Sequence, residues 1–142
     1  MSINSNFVKK LRNSGLRPTK QRLKICEVLF TPEKTFHFTI SDLTKIIEEK
    51  LSEKISLATV YNTVHALQKK GYLKEIAINS DKSYYDTNTS AHHHFYDEDT
   101  FELIDCDQSN IDSINIKNNI TGKKINSVEV LIKVASDNQN QN

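Results

Sequence analysis

The sequence contains few cysteines and no long apolar run, and each absence excludes a class of protein. Its two cysteines, Cys26 and Cys106, lie far apart and form no C-x-x-C motif, so a disulfide framework is not expected and a reducing cytoplasm is the expected location. No apolar run approaches the roughly 18 residues of a membrane helix, and the stretch "MSINSNFVKKLRNSG" lacks the apolar segment of a secretory signal. A chain of 142 residues without repeats is long enough for one domain or two small ones.

Charge is divided unevenly along the chain, although the net charge is only +1. Residues 1–85 carry 15 Lys and Arg against 8 Asp and Glu, a net charge of +7. Residues 86–142 carry 4 against 10, a net charge of −6. A basic half favours a polyanionic partner, and an acidic half that contains histidines favours a cation.

Apolar spacing predicts four helices in the first half of the chain. They are expected over residues 5–13, 20–30, 40–51 and 57–70, with Gly15 and Pro18 after the first helix and Gly71 after the last. Thr39 and Ser56 are the predicted N-caps of the third and fourth helices. Cys26 lies on the apolar stripe of the second helix and is therefore expected to be a buried, unreactive side chain.

Strands are predicted in the rest of the chain. "YLKEIAI", "NSDK" and "SYYDT" indicate strand, turn and strand directly after the fourth helix. A helix-turn-helix followed by such a hairpin is typical of a winged helix. "HHHFYDEDTFELIDC" and "KKINSVEVLIKVAS" are predicted to be mainly strand, with one short helix between them in "NIDSINIKNNI".

The fourth predicted helix has a polar face suited to the DNA major groove. The apolar face is assigned to Leu57, Val60, Val64 and Leu67, and the opposite face to Thr59, Asn62, Thr63 and Ala66. Asparagine can read adenine, and threonine or alanine can contact a thymine methyl group. Cations upstream of the helix are expected to contact phosphates. A solvated surface helix is the alternative interpretation.

Three consecutive histidines, His92, His93 and His94, lie in "SAHHHFYDEDT". Side chains alternate along a strand, so His92 and His94 should face one way and His93 the other. Two imidazoles on one face can share a metal ion or ligate a haem, whose macrocycle can pack on Phe95 or Tyr96. A merely solvated strand is again the alternative.

Several motifs resemble the ferric uptake regulator superfamily of bacterial transcription factors. They are "GLRPTKQRLKICEVL", "HFTISDL", "SLATVYNTVHAL", "GYL" and "YYDTN…HHHFY", in this order over about residues 7–107. The resemblance is closest to the iron response regulator branch, in which the histidines are implicated in haem sensing. It implies an α+β fold: a winged helix-turn-helix DNA-binding domain at 1–86 and a small α/β dimerisation and sensing domain at 87–136. The polar composition of the tail at 137–142 predicts disorder.

The resemblance also implies a regulatory site. The family pattern is a histidine before the helix-turn-helix, an acid ending the wing, an H-x-H motif and a later acid; these positions hold His37, Asp86, His92, His94 and Asp105. Such ligands suit Fe(II), Mn(II) or Zn(II), whereas haem would be bound by His92, His93 or His94. DNA affinity is expected to be controlled by the bound ion or haem.

The resemblance is incomplete at the structural zinc site of many relatives. "DEDT" replaces the first C-x-x-C pair and Cys106 is alone, so a four-cysteine zinc site is not expected. The hairpin 92–106 should then depend on the packing of Phe95, Phe101, Leu103 and Ile104.

The expected partner is operator DNA, and no association with a membrane is expected. The helical face and the resemblance together give the contact residues Arg17, Thr19, Lys20, Arg22, Thr59, Tyr61, Asn62 and Thr63. One winged helix reads few base pairs, so a homodimer on an inverted repeat is expected.

The sequence therefore predicts an iron-responsive transcriptional regulator that is not an enzyme. A peroxide sensor of the same superfamily is the nearest alternative, because the same ligands could hold an oxidisable Fe(II). A metal-dependent hydrolase would lack a credible general base beside the histidines. A third alternative is a purely structural or dimerisation role for the C-terminal half, in which the histidines contact solvent and bind no ligand.

Overall fold

The computed structural model describes residues 3–137, with the side chain of Ile3 excepted, and divides into two compact units. The first unit is Met1–Thr89 and the second is Ser90–Asn142, whereas the sequence places the boundary after Asp86. Of the tail predicted to be disordered, residues 138–142 lie outside the described part. Within that part, no helix is both long enough and apolar enough to cross a membrane.

The first unit contains the four predicted helices, α1 (Ile3–Asn13), α2 (Lys20–Phe30), α3 (Ile40–Leu51) and α4 (Leu57–Lys69). The predicted N-caps are confirmed: the hydroxyl of Thr39 accepts from the backbone N–H of Asp42 and that of Ser56 from Thr59, at 3.1 and 3.0 Å. Helix α4 ends before Gly71, whose φ of +93° is a conformation that glycine adopts without strain. The capping hydroxyl residues and the glycine therefore determine where α3 and α4 begin and where α4 ends.

Three strands complete the first unit: β1 (His37–Phe38), β2 (Lys74–Ala77) and β3 (Ser83–Asp86). They form an antiparallel sheet in the order β1-β3-β2. Helices α3 and α4 and the β2–β3 hairpin make the predicted winged helix-turn-helix. The β1–β3 register places His37 directly opposite Asp86.

The apolar core of this unit is built mainly from the four helices. Its most deeply buried members include Leu11, Ile25, Leu29, Leu43, Ile47, Val60, Val64 and Leu67. Cys26 is also fully buried, as predicted, and burial raises the pKa of its thiol to about 12. Leu57, however, was assigned to the core and is 59% exposed.

The second unit is a three-stranded sheet of β4 (His93–Asp97), β5 (Leu103–Cys106) and β6 (Leu131–Val134), in the order β5-β4-β6. Strand β4 pairs antiparallel with β5 and parallel with β6. A 3-10 turn, Gln108–Asn110, follows β5.

Two expectations for the second unit are wrong. No α-helix forms in "NIDSINIKNNI", and residues 111–130, all of them described, contain neither helix nor strand; the described unit is a small β-domain rather than α/β. Asparagine and β-branched isoleucine have low helix propensity, which explains the missing helix. The predicted strand at 123–136 is reduced to β6.

The β4–β5 hairpin is packed by a different set of side chains from the one expected. Leu103 is buried as predicted, but Phe101 and Ile104 are 59% and 46% exposed. Tyr96, which lies opposite Leu103 in the ladder, and Cys106 are buried instead. The turn is closed by Asp97, whose Oδ1 accepts from the backbone N–H groups of Asp99 and Thr100.

Candidate metal centre and DNA-binding face

The first unit brings together a histidine and a carboxylate. His37 Nε2 lies 3.2 Å from Asp86 Oδ2, and the side chain of Asp86 is only 1% exposed. The other oxygen of Asp86 accepts from the backbone N–H of Asn88 at 2.8 Å. A carboxylate this deeply buried is costly unless a cation or several hydrogen bonds compensate it.

The second unit brings together two histidines and a carboxylate. His92 Nε2 and His94 Nε2 lie 3.4 and 3.3 Å from the same oxygen, Asp105 Oδ1. The two imidazole centroids are 4.3 Å apart, and the β4–β5 register places His94 opposite Asp105. The ligand atoms of all three residues lie within 4.8 Å of one another, which is close enough to share one ion.

A backbone contact fixes which nitrogen of His92 faces Asp105. His92 Nδ1 lies 2.7 Å from the carbonyl oxygen of Ser90. Because a carbonyl oxygen only accepts, Nδ1 carries the proton, and in the neutral imidazole Nε2 then presents a lone pair towards Asp105 Oδ1. Two lone pairs that face each other repel, and a cation or a proton between them turns this repulsion into attraction. A backbone carbonyl in this position is a common outer-shell partner of metal-binding histidines.

His93 has a different role from its two neighbours. Its Nδ1 accepts the backbone N–H of Val130 at 2.9 Å, which ties β4 to the chain just before β6. The predicted alternation of side chains is therefore present: His92 and His94 share Asp105, and His93 does not. The two ligand groups belong to different units, so their combination into one five-residue site stays a prediction.

The exposed face of α4 differs from the predicted one. Thr63 is fully buried, and its hydroxyl donates to the carbonyl of Thr59 at 2.7 Å, so it is corrected from a DNA contact to a core residue. The buried stripe is Val60, Thr63, Val64 and Leu67, an i, i+3, i+4, i+7 pattern. A threonine hydroxyl that bonds back to its own helix can be buried without an unsatisfied donor.

The remaining predicted DNA contacts divide into exposed and structurally engaged residues. Arg17, Lys20 and Asn62 are exposed, and Tyr61 is 47% exposed. Three others have local roles: Thr19 caps α2, Thr59 binds the Ser56 hydroxyl at 2.8 Å, and Arg22 donates to the Arg17 carbonyl at 3.0 Å.

One contact on α4 was missed by sequence reasoning. The rings of Tyr61 and His65 stack with centroids 5.5 Å apart and planes 8° from parallel. The i, i+4 spacing of two ring-bearing residues is the signal that indicates such a pair.

Comparison with known proteins agrees with this fold. Residues 13–134 match the model of the ferric uptake regulator family. The chain is 31% identical over 116 residues to the peroxide operon regulator of Bacillus subtilis, covering 81% of this chain and 78% of that protein. It is 34% identical over 107 residues to the ferric uptake regulation protein of Yersinia pestis, covering 75% and 71%.

A solved structure supports the fold independently of sequence similarity. The ferric uptake regulator from Pseudomonas aeruginosa, determined with manganese, superposes with a TM-score of 0.65 at 21% identity and covers 92% of this chain and 97% of that one. None of these three relatives bears on the iron response regulator branch, and that finer resemblance stays a prediction. The chain therefore belongs to the ferric uptake regulator family, whose members are metal-responsive transcriptional regulators and not enzymes.

Proposed function

We propose that the protein is an iron-responsive regulator that binds operator DNA as a homodimer. In this proposal one divalent ion, held by His37, Asp86, His92, His94 and Asp105, controls DNA affinity. The observation that carries the proposal is the convergence of His92 Nε2 and His94 Nε2 on one carboxylate oxygen, with the Ser90 carbonyl fixing the His92 tautomer. A second ligand-type pair, His37 and Asp86, lies in the first unit.

The ligand set favours a borderline or hard divalent ion. Three imidazole nitrogens with two carboxylates suit Fe(II), Mn(II) or Zn(II). Iron is supported by the name of the Yersinia pestis relative, and manganese by the ion in the Pseudomonas aeruginosa structure. Fe(II) is our first choice, and no step of the proposal requires a four-cysteine zinc site.

Haem, the other cofactor expected from the sequence, is a weaker candidate. A haem iron bound by His92 or His94 would have to displace Asp105 from the same Nε2 atoms. His93 already accepts a hydrogen bond through Nδ1, which leaves its proton on Nε2, the nitrogen that a haem iron would otherwise take. We therefore propose the divalent ion as the regulatory ligand.

Metal control of DNA affinity would follow because the proposed metal-binding residues lie on both sides of a short connecting segment of the chain. Only residues 87–91 separate Asp86 from His92, so the chain itself keeps the two ligand groups at a high effective concentration. An ion bound by both groups would favour those arrangements of the two units in which all five ligands converge. DNA affinity changes if the favoured arrangements differ in their fit to the operator.

The homodimer has a physical basis in the second unit. Members of the family bind operator DNA, typically as dimers. Strand β6 is an edge strand of its sheet, and the apolar residues Ile104, Val128 and Val134 are each more than a third exposed. A second copy would cover this surface. Light scattering at micromolar concentrations should report a dimer, and a monomer would count against this part of the proposal.

The test of the metal site uses one ligand variant and one matched control. Asp105→Ala removes the shared carboxylate, whereas Glu102→Ala removes an exposed carboxylate in the turn of the same hairpin, directly before β5. Calorimetric titration with Mn(II) should show one strong site per chain in the wild type and in Glu102→Ala, and its loss in Asp105→Ala. Fluorescence anisotropy with DNA selected from a random pool by the metal-loaded wild type should show a metal effect of about 5- to 150-fold. The proposal fails if Asp105→Ala retains both the strong Mn(II) site and the effect of metal on DNA affinity.

Peroxide sensing is the second candidate, and the name of the Bacillus subtilis relative supports it. The same site would then hold Fe(II) as a reactive centre rather than as a measure of iron. Hydrogen peroxide added to the Fe(II)-loaded protein should leave its mass and its DNA affinity unchanged under our first proposal. Oxygen incorporation at His37 or His92, together with loss of DNA binding, would establish the alternative.

A further inference from the structure

We propose that His65 is a positioning residue for DNA recognition, because it holds the exposed ring of Tyr61 in one orientation on α4. This inference rests on the proposed function, in which α4 is the DNA-reading helix. Tyr61 is among the DNA contacts expected from the sequence, whereas His65 is interpreted from the sequence as a satisfied surface histidine that is not a ligand.

The geometry of the pair carries the inference. Tyr61 and His65 are one helical turn apart, and their rings are nearly parallel, with centroids 5.5 Å apart. This is an offset stack, the favourable arrangement for two flat rings. A helical tyrosine that is 47% exposed has more than one allowed rotamer, so the stack selects the direction in which its phenol points.

No hydrogen bond of the described residues fixes the Tyr61 ring, although the phenol lies near Tyr85, whose pKa is raised by burial and by the neighbouring Glu75 and Tyr61. Within residues 3–137 the phenol hydroxyl makes no hydrogen bond, and the ring nitrogens of His65 make none either. Both polar edges of the pair are therefore available to a partner. The orientation of the phenol depends on the flat imidazole beside it, and not on a hydrogen-bond network.

The surroundings of the pair place it on the surface that would meet DNA. Ala58 and Asn62 are exposed on the same side of α4, and Leu57 is exposed at its first turn. The N-terminal part of a recognition helix is the part that reaches base edges. An oriented phenol there presents both an apolar edge and a hydroxyl to a base pair, whereas a mobile one would lose part of its binding free energy in being ordered.

The test separates a positioning role from direct base reading by His65. His65→Ala removes the ring, His65→Phe keeps a flat ring without nitrogens, and His65→Asn keeps hydrogen-bonding capacity without a ring. Each metal-loaded variant is measured by fluorescence anisotropy on DNA selected by the wild type and on scrambled DNA of the same length. The readout is the ratio of the two affinities, with helical content and thermal unfolding as folding controls.

We expect His65→Ala and His65→Asn to lower the specificity ratio by about two- to tenfold, the range for one stacked ring pair, with unchanged affinity for scrambled DNA. His65→Phe should restore the ratio. In a Tyr61→Ala background, His65→Ala should have no further effect, because the residue acts through Tyr61.

Three results would overturn the inference while leaving the proposed function intact. One is a wild-type ratio in His65→Ala, and another is an undiminished effect of His65→Ala in the Tyr61→Ala background. The third is rescue by His65→Asn but not by His65→Phe, which would make His65 a direct reader of a base. If the wild type itself selects no DNA from the random pool with any metal, the proposed function fails and the inference fails with it.

Discussion

Alanine substitution of adjacent histidines should separate metal binding from strand stability. His92 Nε2 points at Asp105 Oδ1, whereas His93 Nδ1 accepts the backbone N–H of Val130. His92→Ala therefore removes a proposed ligand, and His93→Ala removes an anchor of the chain entering β6. Moving the same substitution by one residue should change a different property of the protein.

The expected magnitudes follow from what each imidazole contacts. Loss of an outer-shell partner typically costs about 10- to 100-fold in metal affinity, so loss of a direct ligand in His92→Ala should cost more than about 100-fold, or roughly 2.7 kcal/mol. His93→Ala leaves the Val130 N–H without its acceptor, which should lower the free energy of unfolding by about 1 kcal/mol, because Val130 is only half-buried and water can reach it.

Two measurements on each variant are sufficient. Competition between the protein and a chelator for Mn(II) gives the metal affinity, and urea unfolding of the metal-free protein gives stability. His92→Ala should lose metal affinity, and its DNA binding should no longer respond to Mn(II). His93→Ala should keep both and unfold at a lower urea concentration. The reasoning is refuted if His93→Ala loses as much metal affinity as His92→Ala.

Four further predictions test individual features of the fold and the recognition helix. Thr63→Val should leave DNA affinity unchanged and change the free energy of unfolding by no more than about 1 kcal/mol; lower DNA affinity at full stability would return Thr63 to the DNA face. Leu57→Ala should do the reverse, weakening DNA binding without lowering the melting temperature, because Leu57 is 59% exposed. Burial raises the pKa of Cys26 to about 12, so a thiol reagent should modify it only at the rate of unfolding; rapid labelling in the native protein, identified by mass spectrometry, would contradict this. Hydrogen bonds from the Ser136 hydroxyl and N–H lower the pKa of Asp99. The stability difference between wild type and Asp99→Asn, measured by urea unfolding, should therefore be full above about pH 4 and should disappear as the pH falls below that value. A difference that persists in strong acid would disprove the link.

Signals confined to a few neighbouring residues made much of the first unit predictable. Thr39 and Ser56 are small hydroxyl residues directly before apolar periodic segments, and both cap helices as expected. Gly71 ends α4 because it adopts a positive φ without strain. The period-2 geometry of a strand likewise separates His93 from His92 and His94 on the basis of sequence alone.

Predictions failed where tertiary packing overrides residue type. Polarity suggested that Thr63 faces outward and Leu57 inward, but the helix buries the stripe that best fits its neighbours, and back-bonding to Thr59 satisfies the Thr63 hydroxyl. The same limit applies to Phe101, which is exposed at a positive φ of 63° in the turn before β5. A hydrophobic pattern cannot distinguish a core phenylalanine from one placed by turn geometry.

Regulation through the proposed site requires only a small part of the free energy of metal binding. A micromolar ion contributes about 8 kcal/mol of binding free energy, whereas a 5- to 150-fold change in DNA affinity corresponds to about 1–3 kcal/mol of coupling. His37 and Asp86 precede residues 87–91 along the chain, and His92 and His94 follow them, so an ion held by both groups restricts this connection. Fixing the backbone of one residue costs about 1–2 kcal/mol. Ordering one or two more residues of the connection in the metal-bound protein, in advance of DNA binding, is therefore enough to produce coupling of the required size.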